Sequence, residues 1–304
     1  MTMSAADFDA LFDEVINWAR WDEEPLRGTL NHLTSEHIVA AAGLVRLGIT
    51  VTLGLPLDTE QRPDNPRPAE HRMTQLTDDG SGSVRFAKDF VGVDFHNDGQ
   101  SHLDALCHVS YRGLLFRGTP DTATDVDGAT VGDLSAVENG IVGRGVLLDI
   151  PRLRAVPWLE PGDLVTPDEL LAAEQVQHLR FGPGDILLVR TGHTRRLREL
   201  GPWDTTVSKA GLHPTAARLL AERHIGVLGS DTNSDAAPSR TEGVPFPIHV
   251  LAINAMGLHL LDYLQLDDLA STCERLDRWE FQCVVAPLRI PGGTGSPVNP
   301  VAVF

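Results

Sequence analysis

His96, Asp98, His102, Asp104 and His108 lie within one short segment, Phe95-His96-Asn97-Asp98-Gly99-Gln100-Ser101-His102-Leu103-Asp104-Ala105-Leu106-Cys107-His108. All five stand at even-numbered positions. On an extended strand, side chains alternate between faces, so these five would share one face. His102-x-Asp104 is the tightest unit: same-face neighbours on a strand are about 6–7 Å apart, close enough to converge on one ion. Asp104 and His108 are also i,i+4, so their shared direction survives if a helix begins at Asp104. Mixed imidazole and carboxylate donors suit Zn²⁺, Mn²⁺ or Fe²⁺ better than Ca²⁺ or Mg²⁺. The competing interpretation is a solvated loop in which acids and histidines pair with one another. Leu103, Ala105, Leu106 and Val109 intersperse the segment and argue for burial. Buried carboxylates and imidazoles need partners, and a cation can serve several at once.

The elements that must position this segment are legible from periodicity. Ala5 to Trp18 carries Phe8, Leu11, Phe12, Val15 and Ile16 at helical spacing. Thr34 or Ser35 is placed to cap a second helix running to Leu47. Val51–Leu57 and Ser83–Phe95 are expected to contain strands, separated by an exposed Pro- and charge-rich stretch over Asp58–Arg72. Arg144–Pro151 (RGVLLDIP), Gly184–Thr191 (GDILLVRT), Ile225–Ser230 (IGVLGS) and Phe281–Val285 read as buried strands. Helices are expected over Thr166–His178, with Pro167 in the first turn, over Pro214–Arg223, and over the apolar stretch His249–Leu261. Strands alternating with helices define an α/β protein. The expected organisation is an N-terminal helical extension over 1–50 and one compact unit over 51–304.

Composition narrows the function classes. Twenty-five basic against 42 acidic residues give a net charge of −17, with 42% hydrophobic residues. That hydrophobic share supports a folded core. The acid excess argues against nucleic-acid or anionic-membrane partners, which require clustered Lys and Arg. Three cysteines, Cys107, Cys273 and Cys283, form no C-x-x-C pair and no even disulfide set, as in a reducing compartment. The acidic N-terminus lacks signal-peptide character, and no apolar run is long enough to span a bilayer. The chain therefore reads as cytoplasmic. Cys107 would point away from the ligand face and reads as packing. Asp231 follows a strand where α/β proteins place active-site groups, or caps a turn. The GGTGS turn at Gly292–Ser296 lacks a phosphate-binding fingerprint.

Asp98 to His108 resembles the H-x-G-T-H-x-D-x-x-x-H signature of the metal-dependent cyclase family, which includes bacterial kynurenine formamidases and isatin hydrolases. Further blocks are similar in order: Trp21–Asn31 (WDEEPLRGTLN), Arg144–Asp149, Gly184–Thr191, Gly229-Ser230-Asp231, His249 with Asp262, and Pro287–Pro300. The likeness is to the family's longer members. It implies a swivelling β/β/α fold with a mixed, partly barrel-like sheet flanked by helices, assembled as a homodimer or homotetramer. It implies His102 and Asp104 as metal ligands for manganese or zinc, with iron as a third option. Asp98 aligns without gaps on the family's leading histidine and is the expected first ligand, with His96 the alternative through a two-residue insertion. His108 takes the place of the acid–base histidine or second-metal ligand. His249 matches the later site histidine, and Asp262 stands where the family has a glutamate. The implied activity is metal-dependent hydrolysis of a C–N bond in a small linear or cyclic amide by activated water. Lactone hydrolysis or a metal-dependent lyase reaction uses the same parts. A non-catalytic cyclase-fold binding protein with a degenerate site is the remaining alternative.

Overall fold

A computed structural model describes residues 2–21, 25–78 and 84–304. Residues 22–24 of the Trp21–Asn31 block, and Ser83 at the start of the predicted Ser83–Phe95 strand, lie outside them. Apart from four two-residue strands, the strands of the described residues in chain order are β1 (Thr50–Thr52), β2 (Glu70–Asp78), β3 (Arg85–Gly92), β4 (His102–Asp104), β5 (Ile141–Asp149), β6 (Ile186–Arg190), β7 (Val227–Ser230), β8 (His259–Asp262), β9 (Glu280–Val285), β10 (Gly295–Pro297) and β11 (Val301–Val303). Nine of these form one curled sheet in the order β1-β11-β9-β5-β6-β7-β8-β4-β10. Its centre, β5 through β8, is parallel. β4 and β10 add antiparallel on one side, and β9, β11 and β1 on the other. This is the mixed, partly closed sheet with flanking helices that the resemblance implied.

The central strands are apolar at successive positions because both faces are covered. In β6, Leu187 and Val189 face one core while Ile186 and Leu188 face the other. In β5, Val146 and Leu148 oppose Leu147 in the same way. Helix α1 (Ala5–Val15) starts at Ser4, whose Oγ accepts from the Asp7 N–H at 3.1 Å. It buries Phe8, Leu11, Phe12 and Val15 in the first of these cores. The second helix, α2, is shorter than expected, Ser35–Ala42, and Thr34 with His37 completes a capping box. The helix of Pro167–Val176 has Pro167 in its first turn, as the sequence indicated, and is capped by Thr166 and Glu169.

Three departures matter for the site. The predicted helix over His249–Leu261 ends early. A helical turn at Pro247–His249 runs into a π-helical segment, Val250–Met256, and Gly257 (φ +68°) then breaks the helix so that β8 can begin. A Cβ on Gly28 would lie 2.0 Å from the Gly257 carbonyl oxygen, so this crossing requires glycine. The segment from His96 is not one extended strand: residues 97–100 turn, and only His102–Asp104 pairs in the sheet. Finally, β2 and β3 pair with each other as a ribbon outside the main sheet. No helix of the described residues is long and apolar enough to cross a membrane.

Candidate metal centre

β4 lies between β8 and β10, and its register places His102 opposite Asp262. Asp104 ends β4 with no exposed surface, and neither carboxylate oxygen receives a hydrogen bond. Four imidazoles surround it instead. Asp104 Oδ1 lies 3.0 Å from His96 Nδ1, 3.6 Å from His102 Nε2 and 3.9 Å from His108 Nε2. Its Oδ2 lies 3.6 Å from His249 Nε2. Asp262 Oδ2 approaches His249 Nε2 at 3.4 Å and His102 Nε2 at 3.8 Å. Two donor groups share Asp104: His96–His102–Asp104 and Asp104–His108–His249, with all ligand atoms of each within 4.8 Å of one another. Leaving a buried carboxylate without a hydrogen bond is costly, so this cradle fits a cation.

Each ring is aimed by a contact on its other side. His102 Nδ1 donates to the Gln100 carbonyl at 2.8 Å, which leaves Nε2 turned toward Asp104. His249 Nδ1 donates to Asp235 Oδ2 at 2.6 Å, and Asp235 also accepts from the Ile248 and His249 N–H groups. His96 Nε2 lies 3.0 Å from Thr294 Oγ1, and its Nδ1 is buried without a hydrogen bond. The GGTGS turn is thus part of the site wall. A Cβ on Gly295 would sit 2.5 Å from the Leu103 carbonyl oxygen and 2.7 Å from His96 Cε1. His108 stacks on His96 at 3.8 Å. His259 Nδ1 donates to the Asp104 carbonyl at 2.9 Å. Ligand rings oriented by such outer contacts are the usual construction of protein metal sites.

The electrostatics separate the groups. Burial opposes ionisation of Asp104, but His108, His96, His102 and His249 outweigh it and hold the carboxyl well below the usual range. Burial, repulsion from Asp104 and attraction to His249 compete at Asp262; burial dominates and raises it. Burial pulls His108 down to about 4 against the pull of Asp104. His249 goes the other way: burial disfavours its cation, yet Asp235 and Asp262 raise it well above an ordinary imidazole. The same carboxylate is therefore flanked by one histidine shifted down and one shifted up.

Asp98, the expected first ligand, is outside both donor groups, whereas His96, the alternative, stands in one of them. The even-number pattern assumed an extended chain from His96 to Asp104. The turn at 97–100, in which the Gly99 N–H donates to Asn97 Oδ1 at 2.8 Å, rotates Asp98 away. Its Oδ2 accepts from Thr205 Oγ1 and, at 3.3 Å, from Lys209 Nζ. His102, Asp104, His108, His249 and Asp262 are brought together. Asp231 is not among them. It accepts from the Thr191, Gly192 and His193 N–H groups and ties the ends of β6 and β7. Cys107 is buried. Sequence reasoning missed Asp235, Lys209, Thr294 and the contact of His259. Asp235 lies in the polar run Ser230–Ser239 beyond β7, a signal that an acid near a strand end could have supplied.

The donor groups open into a cavity of about 410 Å³, within the range of small-molecule sites. His96, His102, His108, His249 and Asp262 line it together with Tyr111, Val244, Phe246 and Val250. Residues 45–236 match the Cyclase family. The chain belongs to the cyclase family. The crystal structure of a novel cyclase matches 95% of this cyclase-family chain and 100% of its own, with 30% identity and a TM-score of 0.86. The isatin hydrolase of Roseibium aggregatum is 30% identical over 149 residues, which cover 47% of this chain and 54% of that protein. The aligned stretch thus spans about half of that curated relative. An isatin hydrolase bound to the product analogue thioisatinate shares the cyclase fold, with a TM-score of 0.60 and 21% identity over 90% of this chain and 99% of that one.

Proposed function

We propose that this cyclase-family protein is a metal-dependent hydrolase that cleaves the C–N bond of a small linear or cyclic amide. The observation that carries this reading is Asp104: both carboxylate oxygens are buried without a hydrogen bond, among four imidazoles at 3.0–3.9 Å. His96, His102 and Asp104 would hold a divalent transition metal, with zinc and manganese both suited to two imidazoles and a carboxylate. When bound, such an ion supplies Lewis acidity toward a carbonyl oxygen and lowers the pKa of water. The similarity to isatin hydrolase supports an amide, and a cyclic one in particular, as substrate.

The chain's own residues then divide the proton work. His108, neutral and facing the cavity, takes the proton of the attacking water as the oxygen adds to the carbonyl carbon. His249, held protonated between Asp235 and Asp262, gives its proton to the leaving nitrogen as the C–N bond breaks. The proton taken by His108 restores His249, so atoms and charge balance over the cycle. The apolar walls limit bulk water around the reacting bond. Asp104–His108–His249 has similar donor chemistry, and a content of two ions per chain would reassign both His108 and His249 from proton carriers to ligands.

Chelated protein, reconstituted with Zn²⁺ or Mn²⁺ and supplied with formamides, cyclic imides and lactams in ¹⁸O-water, tests the reading. The expected result is metal-dependent turnover with one ¹⁸O in the carboxylate product. Turnover unaffected by chelation, or product without solvent oxygen, contradicts it.

A further inference from the structure

Asp98 remains unexplained by the metal centre although it lies two residues from His96. Its carboxylate lines the cavity with 14% of the side chain exposed. Lys209, one of only two lysines in the chain, is 4% exposed there and donates to Asp98 Oδ2 at 3.3 Å and to Tyr263 Oη at 2.8 Å. With its amide turned, Asn233 offers its oxygen to the same ammonium at 3.3 Å. Thr205 Oγ1 donates to Asp98 as well. A buried lysine with this many acceptors is fully spoken for: it fixes Asp98 rather than reaching into the cavity itself.

Tyr263 supports the same arrangement through the backbone. It follows Asp262 directly and adopts φ +53°, a left-handed conformation that a bulky residue keeps only where its surroundings impose it. Its N–H donates to the Thr232 carbonyl at 2.9 Å, and its own carbonyl accepts from Ser101 Oγ at 2.5 Å. The strained turn puts the hydroxyl on Lys209 and the ring beside His102, with centroids 6.3 Å apart. The network therefore joins Asp98 through Lys209 and Tyr263 to His102.

The polar character of this wall is one-sided. Among the described residues, no arginine or lysine lines the cavity, while Asp98, Asn97 and Asn233 do. An ion-paired carboxylate only accepts hydrogen bonds. The same cavity is also lined by the apolar and aromatic side chains of Val109, Tyr111, Val244 and Phe246.

We propose that Asp98, fixed by Lys209, is the substrate-recognition group of this cavity. It accepts a hydrogen bond from the N–H of a neutral amide or lactam, and so selects neutral, donor-bearing rings over N-substituted or anionic ones. The identity of the bond to be cut rests on the hydrolase reading; the recognition role does not need turnover.

The test is calorimetric binding of 2-oxindole and N-methyl-2-oxindole to metal-loaded protein, with metal content measured alongside. Wild type is expected to bind oxindole at least tenfold more tightly than its N-methyl derivative. Asp98→Leu/Lys209→Met, which removes both charges so that neither is left buried alone, is expected to equalise the two ligands at unchanged metal content. If that variant does not fold, Asp98→Asn decides: its preference should fall at least threefold. Equal affinities in wild type, no binding of either ligand at millimolar concentration, or an unchanged preference in the folded variant overturns the proposal. So does loss of metal in the variant, which would make Asp98 a ligand. Preferential oxindole binding by a protein that hydrolyses no amide would sink the hydrolase reading and leave the recognition role standing.

Discussion

Asp104 and His249 carry the account at the scale of single residues, and both depend on neighbours far away in sequence. His102-x-Asp104 was legible because two ligands on one face of a short strand need only a local pattern. Asp98 falls outside both donor groups because the even-number pattern runs through a turn that the sequence Asn97-Asp98-Gly99 favours. Lys209, which draws Asp98 aside, lies 111 residues further on and carries no local signal. Asp235 was equally hidden, yet it sets the tautomer and charge of His249 through a 2.6 Å contact. Asp235→Asn keeps the shape and removes that charge. General acid–base catalysis typically contributes about 10²–10⁴-fold, so activity should fall at least about tenfold, and the pH at which His249 loses its proton should drop. An unchanged pH–rate profile in this variant would remove His249 from the role of acid.

Among the elements, the parallel strands were plain in sequence because runs such as Ile186–Arg190 are apolar on both faces. The π-helical segment Val250–Met256 was not, because an apolar run gives no period from which to read its end. That segment follows His249, and the N-terminal chain clamps it. Trp18 Nε1 donates to the Asn254 carbonyl at 2.7 Å, and the Asn17 N–H donates to the Ala255 carbonyl at 3.1 Å. Asn254 in turn donates to the Val109 and Leu114 carbonyls, which fixes the loop bearing Tyr111. Phe8 packs edge-on to Tyr111 with no exposure of its own. Phe8→Ala should therefore cost about 3–5 kcal/mol in urea unfolding; a loss below about 1 kcal/mol would mean that α1 contributes little packing.

The join between β5 and β6 makes a separate, pH-dependent prediction. Asp185 precedes β6 and accepts from the Gly182 N–H at 2.8 Å and Arg144 Nη1 at 3.0 Å. Burial nevertheless dominates and pushes its carboxyl up to about 6, against an ordinary value of 3.8. The folded state holds this proton more tightly than the unfolded chain, so the contribution is full below about pH 4 and is lost as pH rises through about 6. Between pH 5 and 8 the loss amounts to about 1–2 kcal/mol. Stability curves of wild type and Asp185→Asn should differ by that amount in their pH dependence. Parallel curves would show that Asp185 does not carry the proton.

Over the whole molecule, the charge of −17 is less informative than where a few of its 42 acids lie. Asp104, Asp235 and Asp262 are buried together at the open end of a nine-stranded sheet, with histidines as their near neighbours. The fold gathers residues from β4, β8, the His249 turn and the Thr294 turn to build that one charged pocket. The family blocks in the sequence anticipated the centre of the sheet, since Arg144–Asp149, Gly184–Thr191 and Gly229-Ser230-Asp231 fall on, or at the end of, the adjacent parallel strands β5, β6 and β7. They could not anticipate which of His96 and Asp98 stands beside Asp104, because that depends on one turn and one distant lysine. The most direct measurement is the transition-metal content of protein purified without added metal, compared with His102→Ala and Asp104→Asn by elemental analysis. The account predicts at least one zinc or manganese per wild-type chain and at least a tenfold loss in each folded variant. Wild type carrying no more metal than the variants would contradict it.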